Sequence, residues 1–332
     1  MIITRTPLRI SFAGGGSDLS AFYEQEQGAV VSTAIDKYIY ITVNPKFDHQ
    51  IRASYSVTEI VDTVGEVQHE LIRESLQLLG IEQGIEITSI SDIPSQGTGL
   101  GSSGSYTVGL LNALYAYRGH LAGAERLAHE ACHIEIERCA RSGGKQDQYI
   151  AAYGGLQYIR FNPDGTVFTD PVICQPATRQ RLQEGLLLLY TGLTRSSDDI
   201  LAEQARETRA NMDKQATLQR MVGLAAQLYE ALSQDNVEAF GEILHTGWME
   251  KRKLTSNISN PHIDTWYERA RAAGAIGGKL LGAGGGGFLL LYAPPECHGD
   301  ICRTLPELRH IPFHFSPQGS KVIYVEENGY KP

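Results

Sequence analysis

The chain has 332 residues, 42% of them hydrophobic, and a formal net charge of −9. That length suits one large domain or two closely joined ones, with enough apolar content for a sizeable core. The acid excess excludes nucleic acid as a main partner, since phosphate backbones need surplus Lys and Arg, and no apolar run reaches the roughly 18 residues of a membrane span.

In chain order, Leu8, Ile10 and Phe12 alternate with Arg9 and Ser11, a period-two strand with one apolar and one polar face. A second strand is predicted over 29–43, where Ile39, Ile41 and Val43 alternate with Tyr38, Tyr40 and Thr42. A helix over 66–79 ends at Gly80, a suitable C-terminal stop. Residues 85–90 return as a strand, and 102–118 and 124–140 carry helical patterns. Strands follow near 156–161 and 166–173. Beyond them come a buried strand at 186–190, helical stretches over 198–232 and 237–254, and a helix opened by Pro261. Strands near 288–292, 312–315 and 322–325 close the chain. The fold class is α+β in two lobes, 1–175 and 176–332, with a soft boundary near 173–178.

Cys132, Cys139, Cys174, Cys297 and Cys302 are odd in number and show no CxxC spacing, so free thiols are expected rather than disulfides or zinc. With no basic-then-apolar leader at the start, the expected location is the cytoplasm.

Glycine, at 35 residues, clusters in three places. The sharpest is Pro94-Ser95-Gln96-Gly97-Thr98-Gly99-Leu100-Gly101-Ser102-Ser103-Gly104, between a strand and a helix. Glycines at a helix start let free N–H groups and the helix dipole approach an anion. A plain turn with Ser102 as N-cap is the bland alternative. Gly99, Gly101 and Gly104 fit GxGxxG, but that motif needs an acid ending a strand some twenty residues on. A helix occupies that stretch here, so a dinucleotide site is rejected, and the chain contains no GxxxxGK[ST].

Three ordered motifs resemble the GHMP kinases, the group of galactokinase, homoserine kinase, mevalonate kinase and phosphomevalonate kinase. They are Pro7 to Asp18 (PLRISFAGGGSD), Pro94 to Ser103, and Lys279 to Phe288 (KLLGAGGGGF). The second has one residue more than the family's P-x3-G-L-G-S-S. Within the family, Gly14-Gly15-Gly16-Ser17-Asp18, Gly144 to Tyr149 (GKQDQY) and Tyr190 to Arg195 (YTGLTR) resemble the kinases of D-glycero-D-manno-heptose 7-phosphate used in bacterial surface-polysaccharide synthesis. The resemblance implies a two-lobed fold, ATP and Mg2+, and phosphorylation of the anomeric hydroxyl of a sugar phosphate. The expected partners are therefore small molecules, with no nucleic acid and no membrane, and a homodimer is allowed. Other sugar kinases (fucose-, galactose- or mannose-type) and a non-catalytic sugar sensor on the same fold are the rivals.

On that resemblance Asp147 is the expected base, with Arg9 or Lys145 holding it ionised; an N-cap role for the helix after it is the alternative. Pro94, Gly97, Gly99, Leu100, Gly101, Ser102, Ser103 and Gly104 are expected at ATP, and Ser103 with Glu135 at the metal. Glu137 lies about 200° further around a regular helix and is disfavoured. Gly14, Gly15, Gly16, Ser17, Asp18, Gly192, Arg195, Gly284 and Gly285, with Arg9 and Asp147, are expected at the acceptor. Asp18 could accept two sugar hydroxyls or cap the helical stretch 19–26. Arg195, Arg252 and Lys253 are candidates for the acceptor's phosphate. His129 and His133 sit four apart without a third ligand, so no metal site is expected there.

Overall fold

The computed structural model describes residues 1–94, 97–194 and 197–326. The first half runs β1 (Ile2–Ala13), α1 (Ser20–Tyr23), β2 (Gly28–Pro45), β3 (Ile51–Ser54), β4 (Thr58–Val61), α2 (Glu70–Leu78), β5 (Ile85–Ser91), α3 (Ser102–Tyr117), α4 (Ala124–Cys132), α5 (Gln146–Tyr153), β6 (Leu156–Phe161) and β7 (Val167–Pro171). The second half runs α6 (Pro176–Glu184), β8 (Leu186–Tyr190), α7 (Ser197–Ala210), α8 (Met212–Ser233), α9 (Ala239–Lys251), α10 (Pro261–Ala272), β9 (Gly277–Leu280), β10 (Phe288–Tyr292), α11 (His298–Thr304), β11 (Arg309–His310) and β12 (Lys321–Val325). The fold is α+β in two lobes, as expected.

An eight-stranded sheet follows the order β12-β1-β2-β5-β3-β4, and a second branch adds β6 and β7 beside β2. Strand β2 can serve both branches because it is 18 residues long. Its first part pairs with β6 from Gly28 to Thr33, and its last part pairs with β5 from Ile39 to Pro45. Every pair is antiparallel except β3 with β5. The smaller sheet, β11-β8-β10-β9, is built from the leucine-rich strands at 186–190 and 288–292.

The alternation in β1 works as the sequence predicts. Leu8, Ile10 and Phe12 are buried in the main hydrophobic cluster, while Arg9 and Ser11 face a cleft. Irregular register between β1 and β2 at Pro7/Leu8 and Ser11/Ala13 brackets those two residues, and such bulges twist a strand and re-aim its side chains. The main cluster does not stop at the lobe boundary. Phe12 packs edge-on against Phe240 of α9, ring centres 5.0 Å apart, a geometry worth about 0.5–1.5 kcal/mol beyond its buried area. The last strand, β12, also returns to pair with β1.

Several local expectations are corrected. The helical stretch 198–232 breaks at Asn211, whose side chain caps α8 by accepting from the Asp213 N–H at 2.8 Å. The segment 312–315 contributes only an isolated bridge, Phe315 to Ile35. Helix α2 starts four residues later than expected, at Glu70, and Gly80 follows its end with φ +61°. The short elements β3, β4, α6, β9 and α11 carried too little periodicity to be picked out. All five cysteines are free. Among the described residues, no helix is long and apolar enough to cross a membrane.

Candidate active site

A cleft of about 790 Å³ opens between the lobes. One wall is the glycine-rich segment leading into α3. Gly101 sits at the helix start with φ +74°, a conformation that favours glycine. A Cβ there would also come within 3.0 Å of the Arg9 Cγ and 3.2 Å of the Asp147 carboxylate. Helix α3 therefore begins at Ser102 with Gly101 as its cap, not with Ser102 as the cap. The bare N–H groups of its first turn face the cleft, beside Ser102, Ser103 and Gly104.

Arg9 joins this wall to the opposite one. Its Nη1 donates to the Gly99 carbonyl at 2.6 Å, and its Nε donates to Asp147 Oδ1 at 2.7 Å. Its backbone N–H donates to the Leu100 carbonyl at 3.0 Å. Asp147 lies in the first turn of α5, not in the loop before it, so the helix dipole favours its negative charge. With Arg9 buried and Asp147 about a quarter exposed, the pair's free oxygen looks into the cleft. Such a charge-assisted contact fixes a carboxylate's orientation.

Glu135 is buried on the same wall. Its carboxylate accepts from Ser103 Oγ and, at 2.9 Å, from Gln148 Nε2, while Arg141 Nη1 donates to Ser103 Oγ at 3.1 Å. Burial pushes the Glu135 carboxyl above its ordinary pKa, and those hydrogen bonds pull the other way. The residue lies in a π-helical turn, His133–Arg138, that extends α4. Such a turn adds a residue and shifts side chains relative to a regular helix. Glu137 points outward to His133 Nδ1 at 2.8 Å. Among the described residues, no group of three His, Cys, Asp or Glu could hold a metal alone. One carboxylate and one hydroxyl are hard oxygen donors, and they fit Mg2+ whose remaining ligands come from nucleotide and water.

Asp18 is buried at the cleft, accepting from the Gly16 N–H at 2.9 Å and the Gln146 N–H at 3.4 Å. It does not cap α1, whose N-cap is Leu19, but it accepts from the first N–H of α5. Burial chiefly raises its pKa, and the nearby Asp147 charge adds to that.

Gly15, Gly16, Gly97, Gly99 and Gly284 also line the cleft. Other expected residues do not. Lys145 turns away, its Nζ donating to the Gly165 carbonyl at 2.9 Å and lying 4.6 Å from the Tyr23 ring centre, so it cannot steady Asp147. Pro94 is exposed, and Leu100 is a core side chain. Gly14 packs against the Ala29 carbonyl, and Ser17 Oγ is spent on the Gly14 and Ala29 carbonyls. Gly192 is exposed outside the cleft, and Gly285 donates its N–H to the Ile258 carbonyl at 3.0 Å behind it. Arg252 is paired with Asp264 at 2.7 Å, and Lys253 with Glu250. Arg195 lies outside the described residues.

Sequence reasoning missed Lys251, Lys279, Arg141 and Gln204, all of which line the cleft, as does Ser11, which it placed only on the polar face of β1. Lys279 had a signal, as the one charge in a glycine- and leucine-rich motif. Lys251 had none, standing beside Arg252 and Lys253.

A glycine-rich helix start, a carboxylate steadied by arginine and a buried acid across one cleft are the parts of a small-molecule phosphotransferase. The model for the GHMP kinases N terminal domain matches residues 62–155, and that for GHMP kinases C terminal matches residues 228–298. A D-glycero-alpha-D-manno-heptose 7-phosphate kinase of Campylobacter jejuni is 28% identical over 96% of this chain and 98% of its own length. An L-fucokinase/L-fucose-1-P guanylyltransferase of Bacteroides fragilis is 26% identical over 96% of this chain, which covers 38% of that longer protein. The crystal structure of a D-glycero-D-manno-heptose 1-phosphate kinase from Bacteroides thetaiotaomicron superposes with a TM-score of 0.79 at 24% identity, covering 98% of this chain and all of that one. The chain belongs to the GHMP kinase family. It is an ATP-dependent phosphotransferase with an alcohol group as acceptor.

Proposed function

We propose that this kinase transfers the γ-phosphoryl group of ATP to the anomeric hydroxyl of D-glycero-D-manno-heptose 7-phosphate, giving the 1,7-bisphosphate. The chemical half of the proposal rests on the Arg9–Asp147 pair, 2.7 Å long and set between the glycine-rich helix start and the cleft. The choice of acceptor is supported by the Campylobacter jejuni relative, which matches this chain end to end.

Phosphoryl transfer asks a protein mostly for positioning and charge neutralisation. The amides at the start of α3, with Gly97, Gly99 and Gly101, would cradle the nucleotide's phosphates. Ser103 and Glu135 would hold Mg2+, which when bound neutralises charge on those phosphates. The Asp147 oxygen not engaged by Arg9 takes the acceptor hydroxyl's proton as the new oxygen–phosphorus bond forms and the bond to the leaving ADP breaks. Arg9 keeps that carboxylate aimed. Asp18, with Gly15 and Gly16, would orient the sugar ring.

The test is ATP consumption with heptose 7-phosphate, unphosphorylated heptose, L-fucose, galactose and mannose, with 31P NMR of the product. Heptose 7-phosphate should be preferred, with a new anomeric phosphate signal. Turnover restricted to L-fucose would transfer the acceptor reading to the fucokinase branch, and a product phosphorylated elsewhere would overturn the anomeric assignment.

A further inference from the structure

Among the described residues, two lysines in the cleft stand apart from the ion pairs. Lys251, the last residue of α9, is 5% exposed, and Lys279, in the middle of β9, is 4% exposed. Lys251 Nζ donates to the Gly282 carbonyl, and Lys279 Nζ donates to the Phe12 carbonyl at 3.1 Å. An ammonium carries three donors, so among the described residues these single bonds leave two unused on each buried head. Among the described residues, neither lysine has a carboxylate within ion-pair distance, whereas Arg9 is answered by Asp147. The charged groups acting on Lys251 are Arg9, Asp18 and Asp147, and those acting on Lys279 are Lys251, Arg9 and Asp18.

A buried, unpaired ammonium costs several kcal/mol after relaxation, by general estimates, unless an anion joins it. Burial and the neighbouring cations act in the same direction, lowering Lys251 to about 8 and Lys279 well below its ordinary value. Of the cations expected from sequence to meet an acceptor phosphate, Arg252 and Lys253 are engaged by Asp264 and Glu250, and Arg195 lies outside the described residues. Beside the lysines, three residues that line the cleft carry a buried polar atom without a partner among the described residues, Ser11 Oγ, Gln204 Nε2 and Gln148 Oε1. The first can take or give a hydrogen bond, and the second can only donate one.

The geometry points to Lys251 and Lys279 as the subsite that binds the acceptor's own phosphate, with Ser11 and Gln204 reading oxygens of the sugar between that phosphate and Asp147. This assignment rests on the phosphorylated-acceptor reading given above, and it names the residues that make the phosphate count. Two ammonium groups reaching one dianion from different elements, α9 and β9, would select against an uncharged sugar, because the lysines would then stay unanswered.

Sulfate is the first probe, since it keeps its charge across the pH range of interest. Its binding is measured by calorimetry with Mg2+ and a non-hydrolysable ATP analogue filling the nucleotide loop. Lys251→Met and Lys279→Met should each weaken sulfate by about tenfold or more, while Arg252→Met and Lys253→Met leave it within about twofold. In the unmodified protein, sulfate affinity should fall as pH rises past about 8, as Lys251 loses its proton. That titration decides the matter even where a methionine variant folds poorly, and Lys251→Arg should restore binding. Sulfate affinity unmoved by either lysine change, and flat with pH, would overturn the assignment.

A kinetic comparison separates the two readings. With heptose 7-phosphate and heptose as acceptors, the lysine variants should erase the preference for the phosphorylated one. An equal loss of kcat on both acceptors would assign the lysines to the transferred phosphoryl group instead, and sink the proposal. If the unmodified enzyme uses neither heptose, the acceptor reading fails, and the sulfate result still judges the subsite.

Discussion

Gly104 is the point where the phosphate-facing helix and the base-bearing helix touch, and replacing it with alanine tests the whole site geometry. A Cβ at 104 would lie 2.8 Å from the Asp147 Cβ and 3.0 Å from both the Asp147 carbonyl carbon and the Gln148 nitrogen. Two of those three atoms are backbone, so no side chain can simply rotate away. The first turn of α5 would have to retreat from 2.8 Å to the 3.4 Å at which ordinary contact begins, about 0.6 Å. A misplacement near 1 Å can cost about a hundredfold in rate, so a kcat loss of about ten- to a hundredfold is expected. Stability should change less. Alanine gains about 1 kcal/mol of helix propensity over glycine, against an overpacking cost of about 1–3 kcal/mol. The net is a small destabilisation, read as a modest drop in thermal midpoint. Gly223 provides the control, because it lies inside α8 with nothing within 4 Å of its notional Cβ. Gly223→Ala should stabilise by about 0.5–1 kcal/mol and leave kcat alone. The assays are coupled ADP release and calorimetric unfolding of both variants. A Gly104→Ala enzyme with kcat within about twofold of the parent, or stabilised like Gly223→Ala, would refute the claim that this contact sets the base.

Asp147→Asn should lower kcat by about a hundredfold or more, while nucleotide-analogue binding and folding stay close to the parent, because an amide oxygen still accepts from Arg9 Nε. Retention of more than about a tenth of the parent kcat, a loss under ~1.4 kcal/mol, would remove Asp147 from the base role. Glu135→Gln should raise the Mg2+ concentration needed for half-maximal rate, and Glu137→Gln, which alters an exposed pair with His133, should not. Equal responses of the two would undo the metal assignment. Glu135→Gln should also show a pH-dependent stability gain without nucleotide. Burial raises the folded-state pKa of Glu135, so its ionised form costs stability above that raised value and nothing below the ordinary glutamate range. The variant should therefore melt higher than the parent near pH 8 and level with it near pH 4. A difference in midpoint that is the same at both pH values would contradict it.

The parts of the site that could be read from sequence are those set by short-range rules. The alternation of residues 8–12 put Arg9 and Ser11 on one face, and the glycines before Ser102 marked a helix start facing an anion. What could not be read depends on which way a side chain leaves a helix or a loop. Lys145, Arg252 and Lys253 look as suitable as any cation in the chain, yet each is satisfied elsewhere, by the Gly165 carbonyl, Asp264 and Glu250. Lys251, between Glu250 and Arg252, differs from its neighbours only in pointing inward. The separation of Glu135 from Glu137 is a related case. Regular helix geometry puts them on different faces, but the π-helical turn fixes the angles, and nothing in HIEIER announces that turn.

The distribution of the site over both lobes explains why so much of it hangs on backbone carbonyls and glycines. At the seam, Gly99 and Gly282 meet main chain to main chain, and a Cβ on Gly99 would lie 2.4 Å from the Leu281 carbonyl oxygen. Side chains cannot fit there, so the main chain on either side is braced by charged donors, one of which crosses between the lobes. Arg9, from the first lobe's sheet, grips the Gly99 carbonyl, Lys251 of α9 grips that of Gly282, and Lys279 of β9 grips that of Phe12. Each lysine spends one hydrogen bond on a backbone carbonyl and keeps the rest of its charge for the cleft. The same three residues therefore brace both glycine segments of the seam and set the field inside the cleft. A ligand carrying negative charge draws on that field and repays the desolvation of the lysines. Binding is then coupled to the contact between the lobes through Lys279, the cation that spans it.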